Sequence, residues 1–316
     1  IGDDNMKIIK ETLADDAKAY LKGYIRSADD TSAHENYPAV IVVPGGSYTH
    51  IPEQQAETLA LAFANLGYQS FYLRYHFIGE KTPLLPAPVV DLARAVALIR
   101  NHAEEWHIDP TTIVLAGFSV GGHIVSLYSD YWQTDQLRTQ AGSTGTDLQP
   151  QAVILGYPVI SPLLGFPTDE ATLATWTAAP ETVAADQHVS EQNPPTFIWV
   201  TADDPLVPAK NSLAYAAALA EHQVPYELHV FHHGPHGMAL ANHLTAWKRD
   251  ADQPHVAHWL TLANEWLNDT LSQSDQGSAI RNDQGSRQID QQSADAASNT
   301  LSTTYPIRTH DGSQSK

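Results

Sequence analysis

Apolar residues gather along the chain in two kinds of pattern. The first is a short run rich in β-branched and aromatic residues: AVIVVPGG (39–46), YQSFYLRY (68–75), TIVLAGFS (112–119), AVILGYPV (152–159), PTFIWVTA (195–202) and YELHVFHH (226–233). Several of these read nearly continuously apolar, which predicts strands covered on both faces of a parallel sheet. The second pattern has helical period. In DLARAVALIRNHAEEW, Leu92, Val96, Ile99 and Ala103 recur at steps of three and four, and NSLAYAAALAEHQ and PHVAHWLTLANEW behave alike. Strand and helix in alternation predict βαβ units and a doubly wound α/β sheet. The opening stretch, MKIIKETLADDAKAYLKGYI, alternates more and predicts antiparallel strands at one edge.

Two segments break the alternation. Residues 160–194 are longer than a usual αβ connection and carry Trp176, which reads as a lid or pocket wall. From Ser272 to Lys316 the chain is rich in Ser, Gln, Asp and Asn, and its few apolar residues show no period. Such a stretch buries too little surface to offset its ordering entropy and is expected to be disordered. One catalytic-size domain over 1–271 is therefore expected, with a polar tail at 272–316.

Composition narrows the partners. The chain has 316 residues, 42% of them hydrophobic, enough for a sizeable core. A formal net charge of −19 opposes phosphate backbones and anionic lipid, so neither nucleic acid nor a membrane surface is expected as a partner. There is no cysteine, which removes disulfides, thiolate nucleophiles and cysteine-based metal sites. No apolar run approaches the roughly 18 residues of a membrane span, and the N-terminus has no basic-then-apolar signal pattern. Met6 is the expected natural start after IGDDN, and the cytoplasm the expected compartment.

The chemistry is concentrated in AGFSVGGH (116–123), where an apolar strand gives way to a helix. Gly117-Phe118-Ser119-Val120-Gly121 fits G-x-S-x-G, a tight strand-to-helix turn that lifts a serine oxygen to a helix N-terminus. A serine hydroxyl needs a base, and the base needs an orienting acid. With such an elbow the chain order is serine, acid, histidine. TADDPLVP (201–208) and HHGPHG (232–237) follow in that order, each at the end of a strand, where open α/β sheets build their sites. Asp204, in the turn before Pro205, is favoured over Asp203. His232 and His233 face opposite sides of a strand, whereas His236 lies beyond Gly234-Pro235 and is favoured as the base. The histidines lack H-E-x-x-H or carboxylates at ligand spacing, so no metal is expected. Two amides must meet the developing oxyanion: that of Val120, and one from the loop VPGGSYTH (43–50), for which Gly46 and Ser47 are candidates.

At these residues the chain resembles the α/β-hydrolase superfamily and, within it, the acetyl-xylan-esterase-like or BD-FAE-like carboxylesterases. The likeness spans most of 38–265 and rests on PAVIVVPGGSY, GYQSFYLRY, PAPVVDLARAVALIRNHAEEWHIDPTTIVLAGFSVGGH, PPTFIWVTADDPLVP, NSLAYAAAL and ELHVFHHGPHGMALA. It implies a mostly parallel sheet with helices on both faces, and a triad at Ser119, Asp204 and His236. It also implies no cofactor and a small-molecule ester substrate with a short acyl group, acetyl especially, on a sugar or aromatic alcohol. The family usually has a third glycine where this chain has Ser47, and alanine where it has Val120; backbone amides survive both changes. Tyr48, Tyr157 and Trp176 are candidates for the pocket wall, with plain core packing the alternative for each. Arg74 reads as a structural ion-pair partner. A serine peptidase or arylformamidase, an acyltransferase and a non-catalytic hydrolase-like binding protein stay open as alternatives, and a homo-oligomer is compatible with the sequence.

Overall fold

The computed structural model describes residues 6–27, 36–143 and 145–272. The described residues as far as Asn268 form one compact unit. The expectation of a disordered tail over 272–316 lies outside the described residues except at Ser272, which is helical; of the second unit, 269–316, residues 269–272 are described and are helical.

Among the described residues, eight strands form one sheet: β1 (Lys7–Thr12), β2 (Tyr20–Ile25), β3 (Tyr37–Val43), β4 (Gln69–Arg74), β5 (Ile108–Phe118), β6 (Ala152–Gly156), β7 (Thr196–Thr201) and β8 (Tyr226–Phe231). Their order is β1-β2-β4-β3-β5-β6-β7-β8. The pairs β1–β2 and β2–β4 are antiparallel and the rest parallel, the edge strands predicted from the opening stretch. Val40–Val43 of β3, Ile113–Ala116 of β5 and Phe197–Trp199 of β7 are 0% exposed, which explains why their sequences run apolar without alternation. The edge strand β1 does alternate, with Ile9 buried and Ile8 exposed.

Helices α1 (Glu53–Asn65), α2 (Ala87–Asn101), α3 (Val120–Tyr131), α4 (Asp135–Ala141), α5 (Glu170–Trp176), α6 (Lys210–Glu221) and α7 (Pro254–Ala257) join and cover the strands, and the chain is helical again from 259. This is the α/β-hydrolase fold. From β3 the chain crosses to β4 on one side and then returns to β5 on the other. The order therefore reverses between β3 and β5, and the crevice beyond their carboxyl ends is where such sheets bind ligands. The loop after β3 and the turn after β5 both open there.

The segment 160–194 is a packed layer of short helical turns rather than a free flap. Leu84 and Leu85 amides donate to the Thr175 and Trp176 carbonyls at 3.1 and 3.0 Å. At its start, the Asn211 side-chain oxygen accepts from the Ile160 and Ser161 amides at 3.0 and 3.2 Å. Among the described residues no helix is long and apolar enough to cross a membrane.

Candidate active site

Ser119 is the N-cap of α3, with φ 55° and ψ −123°. Such an angle pair in a residue with a Cβ costs on the order of 1–3 kcal/mol and persists only where the surroundings fix it. They do so here. The Ser119 amide donates to the Gly156 carbonyl at 3.1 Å, and its own carbonyl accepts from the Gly122 and Val159 amides at 2.9 and 3.0 Å. Gly121 is required for close approach: a Cβ there would run into the Val43 carbonyl. The turn thus seats the first turn of α3 directly on the end of β3.

Ser119, His236 and Asp204 form a continuous hydrogen-bonded series. The Ser119 hydroxyl meets His236 Nε2 at 2.8 Å, and His236 Nδ1 meets Asp204 Oδ2 at 2.7 Å. The carboxylate can only accept, so Nδ1 carries the proton and Nε2 presents its lone pair to the hydroxyl. The Asp204 side chain is 0% exposed, and its other oxygen accepts from the Leu206 and Val207 amides at 2.9 and 3.0 Å. Three donors offset the cost of burying that carboxylate. Ser119 is itself 7% exposed.

The neighbouring acid and histidine pair with each other instead. Asp203 Oδ2 meets His233 Nδ1 at 2.6 Å, and Asp203 Oδ1 accepts from the Gly234 amide at 3.0 Å. The pair is half-exposed; the hydrogen bond from His233 lowers the Asp203 pKa, and Asp203 in turn raises that of His233. Each carboxylate of the Asp-Asp step therefore holds one histidine of the cluster, and only the second pair reaches the serine. His236 and Asp204, rather than His233 and Asp203, are thus the pair brought to Ser119.

The remaining candidates separate. Gly46 and Ser47 lie in the loop after β3, with φ of 120° and 54°, and Val120 opens α3. That loop abuts the serine: a Cβ on Gly45 would stand 2.9 Å from Ser119 Cβ. Tyr157, 3% exposed, lays its ring 4.9 Å from that of His236, and its hydroxyl accepts from the Ala239 amide at 3.0 Å, so it braces the histidine loop. Tyr48 and Trp176 are 0% exposed and pack edge-on at 4.8 Å; in this structure they are core side chains behind the crevice. Arg74 makes a bidentate pair with Glu80 at 2.6 and 2.8 Å, the structural role expected of it.

Two further residues bond to the 43–50 loop. The Tyr75 hydroxyl donates to the Pro44 carbonyl at 2.9 Å, and buried His123 bonds the Tyr48 hydroxyl at 2.9 Å. A signal existed for His123, since it follows Ser119 by one helical turn; Tyr75 gave none, being one more aromatic at a strand end.

The BD-FAE family model matches residues 28–219, well over half the chain. The chain belongs to the BD-FAE family. Among solved structures it is similar to a carboxylesterase candidate from Lactobacillus plantarum WCFS1, 59% identical, covering 84% of this chain and 98% of that one with a TM-score of 0.69. It is also similar to an acetyl ester-xyloside bifunctional hydrolase from Caldicellulosiruptor lactoaceticus, at 31% identity and a TM-score of 0.68 over 84% of this chain and 96% of that one. An acetylxylan esterase from Xylanibacter ruminicola is 26% identical over 267 residues, covering 78% of this chain and 49% of the relative. The chain spans between 33% and 49% of the length of the curated relatives it matches.

Proposed function

We propose that the chain is a serine carboxylesterase that cleaves short acyl esters, acetyl above all, from a carbohydrate or aryl alcohol through an acyl-enzyme. The observation that carries this reading is the unbroken series from Ser119 through His236 to Asp204, at 2.8 and 2.7 Å. Relatives that act on esters, an acetylxylan esterase and an acetyl ester hydrolase among them, support the reaction class and the acyl group.

The chemistry follows from the hydrogen-bond directions. Ser119 Oγ bonds to the ester carbonyl carbon while its proton passes to His236 Nε2. The carbonyl π pair moves onto oxygen, and the amides of Val120 and of Gly46 or Ser47 stabilise that oxyanion together with the N-terminal end of α3. Asp204 holds the imidazole in its tautomer and stabilises the imidazolium. As the oxyanion re-forms the carbonyl, the bond to the alkoxide breaks and His236 returns its proton to that oxygen. Water then attacks the acyl-enzyme by the same steps, releasing the carboxylic acid and restoring Ser119. No cofactor enters this cycle.

A series of p-nitrophenyl esters of increasing acyl length, run on the wild type beside Ser119→Ala, tests the proposal. We expect kcat/KM highest for acetate and falling with chain length. Ser119→Ala should lose a factor of about 10⁴ or more, the scale on which triad nucleophiles act. A Ser119→Ala variant with undiminished turnover would rule out the acyl-enzyme, and aminoacyl amides turned over faster than acetate would make the protein a peptidase.

A further inference from the structure

We infer that His123 is a positioning residue that holds the oxyanion loop, through Tyr48, in register with the nucleophile. The inference rests on the esterase reading above and adds to it a residue outside the triad.

The loop after β3 has three consecutive residues at positive φ: Gly46 at 120°, Ser47 at 54° and Tyr48 at 61°. Glycine adopts this freely, but Ser47 and Tyr48 each lose about 1–2 kcal/mol in the left-handed region. A strained backbone of this kind relaxes unless something outside it pins it. Two hydroxyls do so. The Tyr75 hydroxyl donates to the Pro44 carbonyl at 2.9 Å and lies 3.3 Å from that of Gly45. Tyr48 buries its ring edge-on against Trp176 at 4.8 Å and Tyr75 at 6.0 Å, and its phenol meets His123 Nδ1 at 2.9 Å. Its backbone carbonyl also accepts from the Ile78 amide at 2.8 Å.

The direction of the His123 bonds is fixed by its other partner. His123 Nε2 lies 2.7 Å from the Val183 carbonyl, which can only accept, so Nε2 carries the ring proton. Full burial pushes the pKa of His123 down to about 4, so near neutral pH it has that one proton only. Nδ1 therefore offers a lone pair, and the Tyr48 phenol donates to it. One orientation of the phenol satisfies both groups, and a polar pair this deeply buried loses heavily if either is left unmet.

His123 lies on α3, one helical turn after Ser119. The same rigid helix thus carries the nucleophile and the anchor of the opposing loop. Distance between the Ser119 oxygen and the Gly46 and Ser47 amides is set through α3, His123 and the Tyr48 side chain, while Val183 ties the 160–194 layer to the same imidazole. Misplacing an oxyanion donor by a fraction of an ångström weakens the transition state far more than the bound ester, because the full charge exists only in the former.

The test compares Tyr48→Phe, which deletes one oxygen, with His123→Leu and His123→Gln, using p-nitrophenyl acetate and, as a mimic of the tetrahedral adduct, phenylboronic acid. Tyr48→Phe and His123→Leu are expected to lower kcat by about 10- to 100-fold, up to the loss of one oxyanion donor. KM should stay within about threefold, the split that marks an interaction made in the transition state. Boronate affinity should fall in parallel with kcat/KM. The Gln side chain can donate to Val183 and accept from Tyr48, so His123→Gln should recover most of the loss. Folded Tyr48→Phe with wild-type kcat, or a rise in KM alone, or a fall in kcat that the boronate does not follow, would each overturn the inference. Ser119→Ala serves as the reference: if it is inactive while Tyr48→Phe is unimpaired, only the positioning role fails, and if it is active the esterase reading fails with it.

Discussion

At the scale of single residues, the site turns on which of two adjacent carboxylates serves the serine. Asp203 and Asp204 are chemically identical and one peptide apart, yet Asp204 is fully buried on His236 while Asp203 is half-exposed on His233. Asp204→Asn should therefore lower kcat on p-nitrophenyl acetate by about 10⁴-fold, since an amide in place of the carboxylate favours the wrong imidazole tautomer. Asp203→Asn should change it less than about threefold, because a solvated pair contributes little. Steady-state kinetics on the two variants decide this, and equal losses would mean that the second pair takes part. In the sequence the two are set apart only by the place of Asp204 in the turn before Pro205, which constrains backbone and side chain together. The roles of Tyr48 and Trp176 were not legible there. A buried aromatic reads the same whether it lines a pocket or fills a core, and only the phenol's partner, His123, separates the two for Tyr48.

Elements rather than residues decide how the crevice is held at its edge. His76 follows β4 and is 1% exposed, with Nδ1 at 2.7 Å from Asp91 on α2 and Nε2 at 2.9 Å from Asp16 in the turn between β1 and β2. Lys81 and Arg94 add positive charge, to Asp16 at 3.2 Å and to Asp91 at 3.6 Å. A neutral imidazole has one proton for two carboxylates, so this clasp favours the imidazolium. The hydrogen bond to Asp91 and then that to Asp16 raise the His76 pKa, against the opposing effect of burial. A folded-state pKa above the unfolded value of about 6.5 means stability that is present below that pH and lost as pH rises through the folded value. Thermal unfolding followed from about pH 6.5 upward should show Tm falling in the wild type and a flatter profile in His76→Gln. Identical pH profiles for the two would remove the clasp from the account. None of this was visible in the sequence, where Asp16, His76 and Asp91 lie 60 and 15 residues apart. The strands were visible, because burial on both faces leaves an apolar run. The turns inside 160–194 were not, since three- and four-residue helical pieces have no period to read.

For the whole molecule, the parallel run β5-β6-β7-β8 brings the three distant segments that carry Ser119, Asp204 and His236 to one edge of the sheet. In the sequence the same segments follow in the order serine, acid, histidine, each past the end of a strand. We propose that this convergence makes one hydroxyl, Ser119, a nucleophile. The most direct measurement is labelling with a fluorophosphonate, followed by mass spectrometry of the intact protein and its peptides. One adduct per chain is predicted, on the peptide that contains Ser119, with loss of esterase activity in proportion to labelling and no adduct in Ser119→Ala. Full esterase activity in a chain that takes up no label, or a stoichiometric adduct on another residue, would contradict it.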